Sequence, residues 1–139
     1  MAASGLVSAS RHPAGFLEAS ARPRTGRRGE VLAGFLQSDV QADLETARAY
    51  LDEIAAAARG ETPRPGGTGN AFWVAIRPTG AVIRNIILEG AAPERYSLAE
   101  LRAALEIWIE EIERARPGPN TPITDGPSDK PGSPRDRRR

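Results

Sequence analysis

Cysteine is absent from this 139-residue chain, and histidine and lysine occur once each, at His12 and Lys130. Without thiols there are no disulfides, no thiolate nucleophile and none of the usual cysteine-based zinc sites. A single histidine and a single lysine leave little material for acid–base chemistry. No apolar stretch approaches the roughly 18 to 20 residues that a bilayer span needs, and MAASGLVSASRHPAG lacks a basic segment ahead of an apolar run. The first residues share the Ser, Ala and Arg bias of a transit peptide but not its amphipathic pattern. A cytoplasmic protein is therefore expected. Walker lysines, G-x-S-x-G elbows, H-E-x-x-H and dinucleotide fingerprints are all missing. These gaps point away from an enzyme, and neither a cofactor nor a metal is expected.

What is present suits one folded unit flanked by tails. The length fits a single core, while 14 Gly and 12 Pro beside 40% hydrophobic residues suggest that part of the chain does not pack. Residues 1–13 and 117–139 are poor in branched apolar side chains and rich in Ser, Pro, Gly and charge, so both are expected to be disordered. The second of these runs, PGPNTPITDGPSDKPGSPRDRRR, holds six prolines, each without a backbone donor. A single domain over residues 14–116 remains.

The net charge of +1 conceals an asymmetry. Residues 1–37 carry five Arg against two Glu, residues 38–115 eight Arg against thirteen acids, and residues 116–139 six bases against three acids. An acidic middle repels phosphate, so any nucleic-acid affinity would come from the basic tails and would weaken steeply with salt.

Two helices are signalled by capping boxes. Ser38 with Gln41 predicts a helix start, and Val40, Leu44, Ala47, Leu51, Ile54 and Ala58 then fall on one stripe until Gly60 offers a left-handed stop. Ser97 with Glu100 predicts a second start, with Tyr96 placed to staple onto Leu101. Leu101, Leu105, Trp108 and Ile112 form its buried stripe, Leu98 and Ile109 widen it, Glu106, Glu110, Glu111 and Glu113 cover the outside, and Pro117 forbids continuation.

Between the helices, residues 70–77 and 81–88 read as a β-hairpin turning at Pro78, Thr79 and Gly80. Phe72, Val74 and Ile76 alternate with Ala71, Trp73, Ala75 and Arg77; Val82, Ile86 and Leu88 alternate with Ile83, Asn85 and Ile87. The first set in each strand is expected to face the helices. Residues 15–21 and 30–36 also alternate and are read as two further strands, because a lone hairpin is rarely stable. The expected fold is α+β: a small antiparallel sheet with two packed amphipathic helices in the order β-β-α-β-β-α.

The chemistry-bearing residues are few. His12 falls in the expected N-terminal tail, away from any partner. Asp39 with Asp43, and Glu106 with Glu110, stand one helical turn apart but lack the further ligands of a metal site. Gly66, Gly67, Thr68, Gly69 and Asn70 could suggest a phosphate cradle, yet such loops follow a strand and open a helix, whereas this one leads into a strand. A flexible connection is the simpler reading. Binding is left: Trp73 and Arg84 occupy the hairpin, and Trp73, pointing away from the packed face with Arg77 as a near neighbour, has the composition of an interface anchor unless residues 30–36 or a loop cover it.

The segments GEVLAGFLQSDVQADLETA, GNAFWVAIRPTGAVIRNIILEG and YSLAELRAALEIWIEEIE resemble small bacterial proteins of the YacL-like type and immunity-like proteins found beside polymorphic toxin genes. The resemblance spans about residues 28–114 and rests on Gly69 and Asn70 opening the hairpin, Gly80 at its turn and Trp108 in the last helix. It implies an α+β domain and a toxin-neutralising role. The functional expectation is thus a non-enzymatic protein-binding domain, an immunity-like or antitoxin-like inhibitor of a basic partner, with Trp73, Arg77, Arg84, Glu106, Glu110 and Glu113 in contact. The alternatives are a nucleic-acid accessory protein binding through basic tails and a small hydrolase or transferase of an unrecognised kind.

Overall fold

The computed structural model describes residues 2–115, so the expected C-terminal tail lies outside the described residues. The fold is α+β, with more elements than the sequence suggests. The strands are β1 (Ala2–Ala3), β2 (Val7–Arg11), β3 (Leu17–Ala21), β4 (Arg64–Thr68), β5 (Phe72–Arg77), β6 (Gly80–Asn85) and β7 (Glu94–Tyr96). The helices are α1 (Gly26–Phe35), α2 (Leu44–Ala58) and α3 (Leu98–Ala115), with a π-helical segment Leu36–Val40 continuing α1. Two antiparallel sheets, β1-β2-β3 and β4-β5-β6-β7, both pack against α1 and α3. No helix among the described residues is long and apolar enough to cross a membrane.

The N-terminal residues correct the expectation of disorder. Residues 2–11 supply β1 and β2, and Val7 and Ala9 are buried with Leu6 and with Leu17 of β3. His12 sits in the tight β2–β3 connection rather than in a tail: its Nδ1 accepts from Ala14 N at 3.0 Å, and its ring stacks on Phe16 with centroids 4.4 Å apart. A Ser- and Ala-rich strand buries little area per residue, but it lets α1 and α3 come close, and the helices supply the area it lacks.

Residues 30–36 are helical, not extended. In the run Val31 to Leu36 every side chain except that of half-buried Gly34 is buried, and a short apolar run carries no period that separates strand from helix. Its glycine allows close packing: a Cβ on Gly34 would stand 3.0 Å from Cζ of Phe72. Phe35 meets Tyr50 of α2 edge-on at 5.2 Å and Phe72 of β5 at 6.3 Å, joining α1, α2 and the hairpin.

The first expected capping box is also redirected. The chain from Ser38 to Gln41 closes the π-turn through Gln41 N to Leu36 O at 2.7 Å, and Gln41 adopts φ 60°. Helix α2 starts two residues later on Asp43, whose carboxylate accepts from Glu45 N and Thr46 N. These bonds and the Thr46 hydroxyl hold the Asp43 carboxyl below its usual range, the hydroxyl having the largest effect. Ser38 and Gln41 do meet, through Gln41 Nε2 to Ser38 O at 2.9 Å, while Asp39 is drawn to the hairpin. Of the expected α2 stripe, Ala47 and Ile54 are buried, Leu44 and Leu51 half-buried and Ala58 exposed; the late start turns the packed face so that Tyr50 and Ala57 join it, and Gly60 is in the left-handed region.

Helix α3 follows its sequence signals closely. Ser97 Oγ accepts from Glu100 N at 3.0 Å and Glu100 Oε1 from Ser97 N at 2.9 Å, closing the capping box. Leu101, Leu105, Trp108 and Ile112 are buried, and Trp108 Nε1 donates to Gln41 O at 2.6 Å.

Two outcomes test this architecture. Deleting residues 1–13 should lower the urea midpoint severely or abolish folding, because it removes the buried Leu6, Val7 and Ala9, each large one contributing about 1.5 to 3 kcal/mol. An unchanged midpoint would show that β1 and β2 are dispensable. Trp108→Ala should cost on the order of 3 to 5 kcal/mol, and Trp108→Phe should recover the volume but not the bond to Gln41. Full recovery of the midpoint by Phe would show that the hydrogen bond contributes nothing.

Candidate interface on the outer face of the four-stranded sheet

Register decides which side chains share a face. In the β5–β6 pair, Val74 opposes Ile83 and Ile76 opposes Ala81, all buried, whereas Trp73 opposes Arg84 and Ala75 opposes Val82. The inward side chains of β6 are therefore Ala81 and Ile83. This corrects the expectation for Val82 and Ile86, which are half-buried on the other face, and for Leu88, which is 61% exposed beyond the strand's end at Asn85. The turn leaves only two residues, Pro78 and Thr79, between the paired Arg77 and Gly80, so alternation restarts one position away from that inferred from hydrophobicity.

The helices cover the inner face. Phe72 packs at Gly34, Arg64 reaches Glu53 at 2.7 Å and lies over the Tyr50 ring, and Tyr96 donates its hydroxyl to Arg28 O at 2.6 Å. Burial pushes the Tyr96 phenol well above its usual range, and the bond to Glu53 does the same for the Arg64 guanidinium. Both groups keep their neutral and charged forms, respectively, at physiological pH.

The outer face collects Thr68 of β4, Trp73 and Arg77 of β5, Val82 and Arg84 of β6 and Arg95 of β7, with the small Ala75 buried among them. Trp73 is half-buried because its indole lies against Gly66, where a Cβ would collide with the ring. Cover thus comes from β4, not from residues 30–36. Arg77 donates to Pro65 O at 2.6 Å, and neither Arg84 nor Arg95 has an ion-pair partner among the described residues.

At one end this face becomes apolar. Ile86 N donates to Ala71 O at 2.9 Å, extending the row beyond Trp73 and Arg84. Asn85 Oδ1 then accepts from Ile87 N at 2.9 Å and Leu88 N at 3.2 Å, an Asx turn that holds Ile87 and Leu88 out, 73% and 61% exposed. Leu88 itself turns toward the other side of the sheet, where it borders a cavity of about 330 Å³ lined by Arg27, Glu30, Val31 and Gly34 of α1 and by the inward Phe72 and Asn85.

The structure brings Trp73, Arg77 and Arg84 together and leaves Glu106, Glu110 and Glu113 elsewhere, on the exposed side of α3. Two of these acids are already matched: Glu113 with Arg48 at 2.8 Å and Glu110 with Arg114 at 3.3 Å. Glu111, expected outside, is buried and pairs with Arg114. Sequence reasoning missed Arg95, because a three-residue strand carries no period, and the exposed Ile87, whose only signal was Asn85 as a turn former.

The glycine-rich run is not a phosphate cradle. Residues through Thr68 form edge strand β4, and the amides of Ala71 and Phe72 donate to the Asp39 carboxylate at 2.9 and 3.2 Å. Asp39 and Asp43 thus serve the hairpin and the α2 cap separately, and no group of three or more His, Asp or Glu side chains is placed to share a metal among the described residues.

Arg28 holds the strand that carries Arg95. Its Nε and Nη2 both donate to Arg95 O, and Nη2 also reaches Glu100 Oε1 at 2.6 Å. The Glu100 carboxyl is held below its usual range, first by the Ser97 N–H and further by Arg28. A depressed folded value stabilises the fold above the unfolded value of about 4.3, and that stability is lost as pH falls through the folded value. Glu100→Gln should therefore unfold at lower urea than the parent near neutral pH, with the gap closing toward pH ~3. A gap independent of pH would mean that shape rather than charge is at work.

No family model, curated protein or solved structure matches this chain.

Proposed function

We propose that this chain is a non-enzymatic protein-binding domain, an inhibitor of the kind to which the immunity-like resemblance points, and that it docks through the outer face of β4-β5-β6-β7. The observation that carries the reading is Trp73, set on a rigid sheet against Gly66 with Arg77, Arg84 and Arg95 around it and with Ile86 and the exposed Ile87 at one end. Trp and Arg are the side chains most enriched at energetic centres of interfaces, and an apolar centre inside a charged rim is the usual anatomy of one. Large exposed aliphatics held in place by a turn cost the free protein solubility, and a partner removes that cost.

The acidic helix face is the weaker contact surface. Ion pairs within the fold already occupy Glu110 and Glu113. The nucleic-acid alternative has lost one of its tails, since residues 2–11 are strands.

The test is a photo-crosslinking amino acid placed at position 73, 87 or 106 of the full chain in its native host. One and the same protein should be trapped from positions 73 and 87 and not from 106. Trapping from 106 alone would move the interface to α3 and overturn the reading. With the trapped partner in hand, Trp73→Ala should weaken binding by about 2 kcal/mol or more, roughly thirtyfold, mostly as faster dissociation in surface plasmon resonance.

A further inference from the structure

We infer that the outer face receives an acidic surface: a partner polypeptide with carboxylates set around an apolar centre, rather than the basic partner suggested by the charge of residues 38–115. This rests on the reading of that face as a protein interface and adds the chemistry of the partner.

Charge complementarity carries the argument. The outer-face positions 68, 71, 73, 75, 77, 82, 84, 86 and 95 hold three arginines and no acid. Arg95 stands opposite Val82, which makes Arg84 its diagonal cross-strand neighbour, about 7 to 8 Å away between such positions. Like charges so placed repel, and neither arginine finds a carboxylate among the described residues. Six of the thirteen acids of residues 38–115 are spent on ion pairs inside the fold: Glu53 on Arg64, Glu61 on Arg59, Glu100 on Arg28, Glu111 on Arg114, and Glu110 and Glu113 as described above. Net charge over residues 38–115 is negative, but the unpaired charge on this face is positive. Complementary potential at the rim sets association rate and register.

The apolar end selects a polypeptide over a nucleic acid. A single strand could stack a base on Trp73 and place phosphates near the arginines. It would leave the apolar end of the face, where Ile86 stands beside Ala71 and the next residue, Ile87, is 73% exposed, without a partner. A protein surface satisfies both parts.

The experiment titrates the full chain with poly-L-glutamate, poly-L-lysine and an oligothymidylate, following tryptophan emission and probe anisotropy at two salt concentrations. Trp108 is buried, so a probe-dependent change reports Trp73, and Trp73→Phe should erase the change while anisotropy persists. Poly-L-glutamate should bind with a marked loss at higher salt, and the double reversal Arg84→Glu with Arg95→Glu should weaken it by about tenfold or more. That double variant is the necessary control, because residues 116–139 also carry net positive charge. Undiminished binding to the double variant overturns the inference, as does a silent Trp73 with all three probes. A Trp73 response to poly-L-lysine would reverse the sign of the partner and leave the protein-interface reading standing. A response to oligothymidylate alone would overturn both.

Discussion

A buried indole N–H must find an acceptor, and the bond from Trp108 Nε1 to the carbonyl of Gln41 ties the layers of this fold together. Gln41 can present that carbonyl inward because it sits at φ 60°, just past a π-turn that ends the first helical run. The same turn reverses the chain toward α2 and frees Asp39 to take two amides at the start of β5. Three distant segments meet at one short stretch, residues 38–43. A π-turn and a positive φ in a non-glycine residue are costly locally, and they persist here because α3 and the hairpin both bond to the conformation they create.

With the helices committed to the inner face, the four-stranded sheet keeps one broad surface free, while its edges and those of the smaller sheet are guarded. Arg28 occupies the Arg95 carbonyl on β7, Gln37 bonds Ala19 N at 2.9 Å and Leu17 O at 3.3 Å on β3, and β4 carries a proline and a register shift between Arg64 and Gly67. Capped or irregular edges resist strand addition. Association is thereby steered to the face, where rigid backbone holds Trp73 and the arginines at fixed spacing and little ordering entropy is left to lose on docking.

Charge needs the same distinction between chain and surface. A segment-by-segment count makes the middle of the molecule acidic, yet six of its thirteen acids stand within reach of an arginine, and the arginines of β6 and β7 have no such partner among the described residues. Potential at a surface depends on which charges are left uncompensated there, and folding redistributes them.

Signals that act over a few residues were legible in the sequence. The Ser97–Glu100 box, the α3 stripe around Trp108, the Gly60 stop, the hairpin turn and the shortage of catalytic side chains are all local properties of the chain, and Trp73 and Arg77 could be grouped by alternation along β5, whereas only the register of the pair puts Arg84 beside them. Tertiary structure decided the rest. Residues 2–11 became strands because α1, α3 and β3 cover their small side chains, and residues 30–35 became helix because apolar surface meets them on nearly every side. Asp43 rather than Ser38 capped α2 because Trp108 and the hairpin claimed the residues between. Arg95 joined the outer face through a three-residue strand whose only justification is its pairing with β6. In each of these cases the deciding partner lies far along the chain, and burial and cross-strand pairing, unlike caps and turns, have no expression in the residues nearby.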